Sequence, residues 1–376
     1  MIPVFYEALD RVNAELVGMI PATVMDARAS SVAKGQEVKI PITPVSTNED
    51  VTASASAPSS SGETIDTVSV TIDKIRRGTP ILWTGEDELG VSGSGTLNAI
   101  QVDQFAQRIR GLRNEMEADM CREAIVGAVT KGNIIGSLGT NPFASNLDNL
   151  TLVLKTLEDA GAPTSELQAV LNTEAGMKLR NLTQLQKINE AGESSLLRRG
   201  ALGDLFGFTL RESAGMKHVS GTATSTKYQT ASASLAIGDT SIAVDTGSGT
   251  FKKGDLIKFA DDNNYYTVAE DMANGGTTLK IEGGLKTDVG DNKAITIYDY
   301  KPNACFARGS IIMANRVPYV PANGDIAIDR QIITDPLTGI PYELAVWGGA
   351  YQNTVTIATA WGVKNIKPEN TVALVG

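Results

Sequence analysis

The sequence predicts a mixed α+β protein whose α+β part is interrupted by a block of short strands. Three observations predict it. Apolar residues recur at helical spacing over one long stretch, Leu97 to about Thr130. Alternating runs such as Val38-Ile40-Ile42 and Val68-Val70-Ile72 have strand spacing. From about Gly221 to Tyr300 only short strands remain, separated by turn signals. An apolar content of 42% supplies a real core. A length of 376 residues suggests two or three domains, at ~100–200 residues each.

Residues 5–20 read as an amphipathic helix, with Leu9, Val12, Leu16 and Ile20 on one face and Pro21 as its stop. The strands near Val38–Ile42 and Val68–Ile72 enclose Val45–Gly62, a stretch rich in Ser, Thr and Ala. That stretch has too little apolar area to fold alone. Its residues fit either a floppy insertion or a long two-stranded arm that orders against a neighbouring subunit. Gly90, Gly93 and Gly95 read as a hinge and helix start. Their spacing is not a dinucleotide fingerprint, and no phosphate-loop G-K-[ST] occurs.

In the long helix, Phe105, Ile109, Leu112, Met116 and Met120 share a face. Arg108, Arg110, Arg113, Glu117 and Asp119 fall largely elsewhere, and read as a solvated face or as ion pairs between subunits. A helix of roughly 50 Å is a beam across a flat domain. Residues 147–160 read as a second helix and Leu167–Leu171 as a buried strand. Thr173 is the expected cap of a short helix through Leu182, and Leu202–Leu210 reads as a turn and strand.

Six short strands are expected next: Leu235–Ile237, Ser241–Val244, Asp255–Phe259, Tyr265–Val268, Thr277–Ile281 and Ile295–Tyr298. Such a series suggests a small antiparallel barrel or sandwich, a guest with hinges at Thr222–Thr226 and Lys301-Pro302. Ala304–Ala314 returns to the apolar α+β texture. The chain closes with a strand over Asp325–Ile333, a turn at Asp335–Gly339, and strands Tyr342–Trp347 and Tyr351–Val363 that can pair across Gly348-Gly349.

The chemistry is sparse. A net charge of −10 argues against coating nucleic acid by phosphate neutralisation. It fits an ordinary solubilising surface, or a container wall that does not stick to DNA. Cys121 and Cys305 have no C-x-x-C spacing and read as buried thiols in a reducing cytosol. His218 is the single histidine. It sits in the polar turn Lys217–Ser220 and reads as an exposed structural residue. Asp261, Asp262, Glu270 and Asp271 lie in turn sequences and read as solvated. Accordingly no catalytic, cofactor-binding or metal-binding residue is assigned, and no cofactor is expected. The start Met1–Val4 does not resemble a signal peptide, and no apolar run reaches ~18 residues. A soluble protein made in a cytoplasm is expected.

The order of these elements resembles the tailed-bacteriophage major capsid (coat) proteins of the Hong Kong 97-like fold. More narrowly, it is similar to short-tailed-phage coat proteins that carry an inserted domain. The resemblance rests on the N-terminal helix, the arm at Val38–Ile72, the spine helix Leu97–Thr130, and the lobe around Leu202–Ser213 with Gly203, Gly207 and Ser213. It rests also on Ala304-Cys305-Phe306-Ala307-Arg308 after the insertion and on Trp361-Gly362-Val363 through Pro368-Glu369. It implies the following division: 1–37 N-terminal arm and helix; 38–89 extended arm with flanking strands; 90–146 spine helix and peripheral domain; 147–221 axial domain, first part. Then come 222–300, the inserted β-barrel; 301–330, the second axial part; and 331–376, the closing peripheral strands.

The resemblance implies a non-enzymatic subunit that self-assembles as hexamers and pentamers into an icosahedral shell, first prohead and then mature head. It implies packaged double-stranded DNA held without sequence-specific binding, a portal, and no membrane. It places the protein in the virion capsid, made in the host bacterial cytoplasm. The compact insertion departs from the family in having less room for a long interaction loop. No scaffolding segment precedes the first helix, so a separate scaffolding protein is expected, or none. No cross-linking pair is assigned. A receptor- or carbohydrate-binding or decoration module, an encapsulin-like compartment shell and an enzyme are the other readings. The long spine helix disfavours the first, and the single histidine disfavours the last.

Overall fold

The structure, a computed structural model, describes residues 2–13, 17–26, 32–42, 66–92, 97–182, 185, 203–223, 228–232, 235–245 and 247–376. Helix α1 (Ile2–Asn13) buries Phe5, Leu9 and Val12 along one face. The expected helix does not run on to Pro21. A separate short helix, α2 (Met19–Ala22), contains that proline, and Leu16 lies outside the described residues. Proline is accepted there because a first-turn N–H has no acceptor within the helix. Strand β1 (Val24–Asp26) follows. Strands β2 (Glu37–Ile42) and β3 (Asp66–Thr71) pair antiparallel, with Val38 opposite Val70 and Ile40 opposite Val68. The stretch Val45–Gly62 lies outside the described residues. Next come β4 (Lys74–Arg77), β5 (Ile81–Thr84) and α3 (Gly85–Ser92). Gly90 is therefore inside a helix and not a hinge, while Gly93 and Gly95 fall outside the described residues. Helix α4 (Leu97–Lys131) has 35 residues and spans roughly 50 Å.

The next elements are β6 (Ile134–Ile135), α5 (Asp148–Asp159), β7 (Leu167–Leu171) and α6 (Thr173–Arg180). The cap of α6 is Asn172, one residue before the expected Thr173. Its side chain accepts from the Ala175 N–H at 2.7 Å. Strands β8 (Asp204–Leu205) and β9 (Phe208–Glu212) complete this stretch. Then come β10 (Ser241–Ala243), β11 (Leu256–Phe259), β12 (Tyr266–Thr267), β13 (Thr278–Lys280) and β14 (Ile295–Tyr298). Leu235 forms only an isolated bridge, to Val289. The chain continues with β15 (Pro302–Ala307), β16 (Ile311–Arg316), β17 (Ala327–Thr334), β18 (Pro341–Gly349) and β19 (Gln352–Asn365). A 3₁₀ turn at Pro368–Asn370 leads into β20 (Thr371–Val375).

Two large sheets share α4. One has the order β6-β20-β15-β7-β9-β8, and β7, β15 and β20 are buried along their whole length. Helices α5 and α6 cover one of its faces, through Leu150, Val153, Leu157 and Leu179. Its other face joins Val170, Ala304 and Phe306 to the core around α4. The second sheet has the order β1-β16-β19-β18-β17, with β4 and β5 also pairing with β19. The β18–β19 ladder runs through Gly349 opposite Gln352, so the turn is Ala350-Tyr351 and not the two glycines. Tyr351 takes a left-handed φ of 56° there. The chain is thus mixed α+β, as expected.

Residues 223–295 close a third core of their own, centred on Tyr228, Phe251, Phe259 and Tyr266. Sheets β10–β13 and β12–β11–β14 are linked by bridges Val268 to Ile281, Thr230 to Val244 and Gln229 to Ala294. A fourth small cluster fixes the base of the β2–β3 hairpin, where Val38, Val70 and Ile72 meet Ile312 and Ala360.

Candidate functional site

Two charged residues of α4, Glu117 and Asp119, are buried and hold partners within the chain. Glu117 is only 4% exposed. Its carboxylate accepts from the backbone N–H groups of Gly18, Met19 and Ile20 at 2.7–3.0 Å and from the Ser213 hydroxyl at 2.6 Å. A carboxylate at the start of α2 satisfies N–H groups that the short helix leaves without acceptors. Asp119, also buried, accepts from Lys74 Nζ at 2.9 Å and from Trp361 Nε1 at 2.9 Å, and pairs with Arg122 at 3.0 Å. Glu117 therefore ties the N-terminal segment to one side of α4, and Asp119 ties β4 and β19 to the other. Sequence periodicity missed both, because a charged residue with internal partners has the same spacing as a solvated one.

His218 is not exposed in a polar turn. Its side chain keeps 12% exposure, and Nε2 donates to the fully buried Asp255 carboxylate at 2.7 Å. The ring stacks on Tyr300 with centroids 5.1 Å apart. Asp255 also accepts from the Gly221 N–H at 3.1 Å and the Lys252 N–H at 2.7 Å, and the Tyr300 hydroxyl donates to the Gly254 carbonyl at 3.1 Å. Residues on both flanks of the 222–300 block therefore meet at one point.

The four carboxylates of the block hold separate partners. Asp261 binds Lys293, whose hydrogen bond and charge hold its pKa below the usual range. Glu270 binds Lys280, and Asp271 accepts from the Lys253 N–H. Asp262 is buried, against expectation, because it is the acceptor that shapes its own turn. Tyr266 donates to it at 2.6 Å and Asn264 at 2.8 and 2.9 Å. Burial pushes its pKa up, but these hydrogen bonds outweigh burial and leave it lowered. Cys121 and Cys305 are free and buried. Burial raises both thiols, Cys305 to about 12. Among the described residues, no His, Cys, Asp and Glu group could hold a metal, and no helix is long and apolar enough to cross a membrane.

The exposed features are of another kind. Strand β17 is the outer edge of its sheet and exposes Ile328 (68%) and Ile332 (62%). The outer face of the same sheet holds a groove of about 370 Å³ bordered by Ile75, Arg77, Tyr319 and Trp347. Beside it Arg330 pairs with Asp325 and Glu343. Burial raises the Glu343 pKa more than Arg330 lowers it. An unprotected edge with large apolar side chains is a surface for pairing with another chain. Tyr265 and Tyr266, the aromatic pair of the block, form no open platform. Tyr266 is buried, and Tyr265 packs edge-on against Tyr298 with centroids 5.6 Å apart.

No protein-family model and no curated protein matches this sequence. Among solved structures, the chain has the fold of one from Mycobacterium phage Che8. That chain is 14% identical, with a TM-score of 0.50 over 93% of this chain and 88% of that one. Similarity extends to the capsid of Cyanophage P-SCSP1u, 12% identical over 96% of this chain and 89% of that one, with a TM-score of 0.49. It extends also to the mature capsid of bacteriophage PhiM1, 9% identical over 96% and 87%, with a TM-score of 0.48.

Proposed function

We propose that the chain is the major capsid protein of a tailed double-stranded-DNA bacteriophage, a non-catalytic subunit that assembles with copies of itself into a closed shell. The observation that carries this reading is the fold held in common with the Mycobacterium phage Che8 structure over most of both chains. The element order in the sequence resembles the same class of protein independently.

The Hong Kong 97-like fold supplies the division of labour. The axial lobe is 147–221 with 301–330, and its supports are the six-stranded sheet and its helices. The peripheral domain is 90–146 with 331–376, built on α4 and most of the second sheet, although β6 and β20 of these ranges pair in the six-stranded sheet and β16 of the axial range pairs in the second. The block at 222–300 is an inserted β-barrel. Its separate core and the bridges that link its two sheets favour this, as do its two flanks meeting at Asp255. Residues 1–37 are the N-terminal arm and helix, and 38–89 the extended arm. The base of that arm is fixed to the sheet, so its far part can lie over an adjacent subunit. Hexamers and pentamers of the subunit close into a prohead and then a mature head. Heterologous contacts of this kind close when the rotation between subunits closes. A separate scaffolding protein and a portal complete the assembly. The acidic balance leaves packaged DNA mobile, without sequence-specific binding. The protein is made in the host cytoplasm and resides in the virion capsid.

Electron microscopy of the purified protein, after sizing, with and without a co-expressed scaffold, tests this. Closed shells, tubes or spirals of one repeating subunit are expected. A small discrete species under every condition overturns the reading.

A further inference from the structure

Strand β18 has 9 residues and so spans roughly 30 Å. Its two ends carry opposite charge. At its start, the turn Leu337–Gly339 borders a cavity of about 850 Å³. Arg113, Arg211 and Arg308 line this cavity against a single glutamate, Glu166, and Val24 and Met25 add apolar surface. Arg211 is half-buried and oriented by Gln168, to which its Nε donates at 3.2 Å, while Arg308 is exposed. In a chain of net charge −10, an excess of arginine over carboxylate at one cavity is a local inversion of sign, with Arg211 and Arg308 at its accessible surface and Arg113 buried behind them.

At the far end of β18, the turn after it holds α3 in place, with the Gly85 N–H donating to the Tyr351 carbonyl at 3.1 Å. Helix α3 carries Glu86, Asp87 and Glu88 in its first turn and no basic residue in its last. All three acids are exposed, and Leu89 beside them is 71% exposed. An acidic helix with an apolar residue thus projects from one end of the sheet. A basic cavity with apolar patches opens at the other end. The length of β18 keeps the two from meeting within one molecule.

We propose that α3 of one copy docks in the Arg113–Arg211–Arg308 cavity of the next copy. This inference rests on the shell-subunit reading and names one of its contacts. The contact is heterologous, so it propagates head to tail and closes into a ring when the rotation between copies closes. Opposite charges at the two ends steer encounter and fix which end meets which. Leu89 meets the apolar part of the cavity near Val24 and Met25.

Charge reversal in the full chain tests the contact. Arg308→Glu and Glu88→Arg both alter exposed side chains, so thermal melting of the unassembled subunit should match the wild type. Each single reversal should slow the growth of large particles, followed by light scattering and sedimentation, by about tenfold. The double variant Arg308→Glu with Glu88→Arg should restore it. Single variants that assemble at the wild-type rate overturn the contact while leaving the shell reading intact. So does a double variant that stays slow. A short oligonucleotide that binds the wild type and not Arg308→Glu, with assembly unchanged, gives the cavity to nucleic acid and also overturns it. If the wild type never forms large particles, the shell reading falls and this contact falls with it.

Discussion

Glu117 shows how much one side chain can decide. Its carboxylate collects four hydrogen bonds from two distant segments, Gly18–Ile20 and Ser213. Removing it leaves buried N–H donors without an acceptor, which costs more than the bonds themselves contribute. Glu117→Ala should therefore lower unfolding stability by about 3 kcal/mol or more, read from denaturant titration of the unassembled subunit. Asp262 makes a prediction about pH. Its folded pKa lies below the ordinary aspartate value, so its stabilisation is present above that value and is lost as pH falls through the folded one. Melts of the wild type should lose stability below about pH 4. Asp262→Asn should melt lower at neutral pH and show a shallower acid slope. An unchanged slope would mean that the hydrogen bonds from Tyr266 and Asn264 do not hold the charge.

Gly362 governs how one element meets another. It lies in β19, where an added Cβ would collide with the backbone carbonyl of Thr71 at the end of β3. Backbone cannot yield as a side-chain tip can, so only glycine lets the arm base lie so close to the sheet. Gly362→Ala should leave the two large sheets folded while loosening the β2–β3 hairpin. Hydrogen exchange should report this as faster exchange at Val38–Ile40 and Val68–Val70, with β18 unchanged. The block at 222–300 is held to α4 at several points. One is Lys286, whose Nζ donates to the Val129 carbonyl near the end of α4 at 2.7 Å.

For the whole molecule, the separate core of residues 223–295 implies separate cooperativity. Residues 222–300 expressed alone should give a single sharp thermal transition and dispersed amide resonances. A fragment that stays unfolded would make the block dependent on α4 and not a guest. The chain also keeps separate cores around α4, under α5 and α6, and in the block at 222–300.

The α+β class, the long helix, the buried strand Leu167–Leu171 and most strands of the block are legible in the residues alone. Those signals are local: period, turn residues and runs of apolar side chains record which face an element buries. The alternation of Val38, Ile40, Val68 and Val70 marks the two arm strands, and the structure shows that they pair antiparallel. What the charges do depends on which distant segments the folded chain brings to them. Glu117, Asp119, Asp262 and His218 all look solvated along the chain, yet each is largely withdrawn from water. The partner that makes burial tolerable lies far away in sequence for Glu117, Asp119 and His218, at Gly18–Ile20, Trp361 and Asp255. The same holds for the cavity near Arg308 and the acidic helix α3. Each is visible in sequence only as ordinary charge, and the length of β18 between them is what sets them at opposite ends of the subunit.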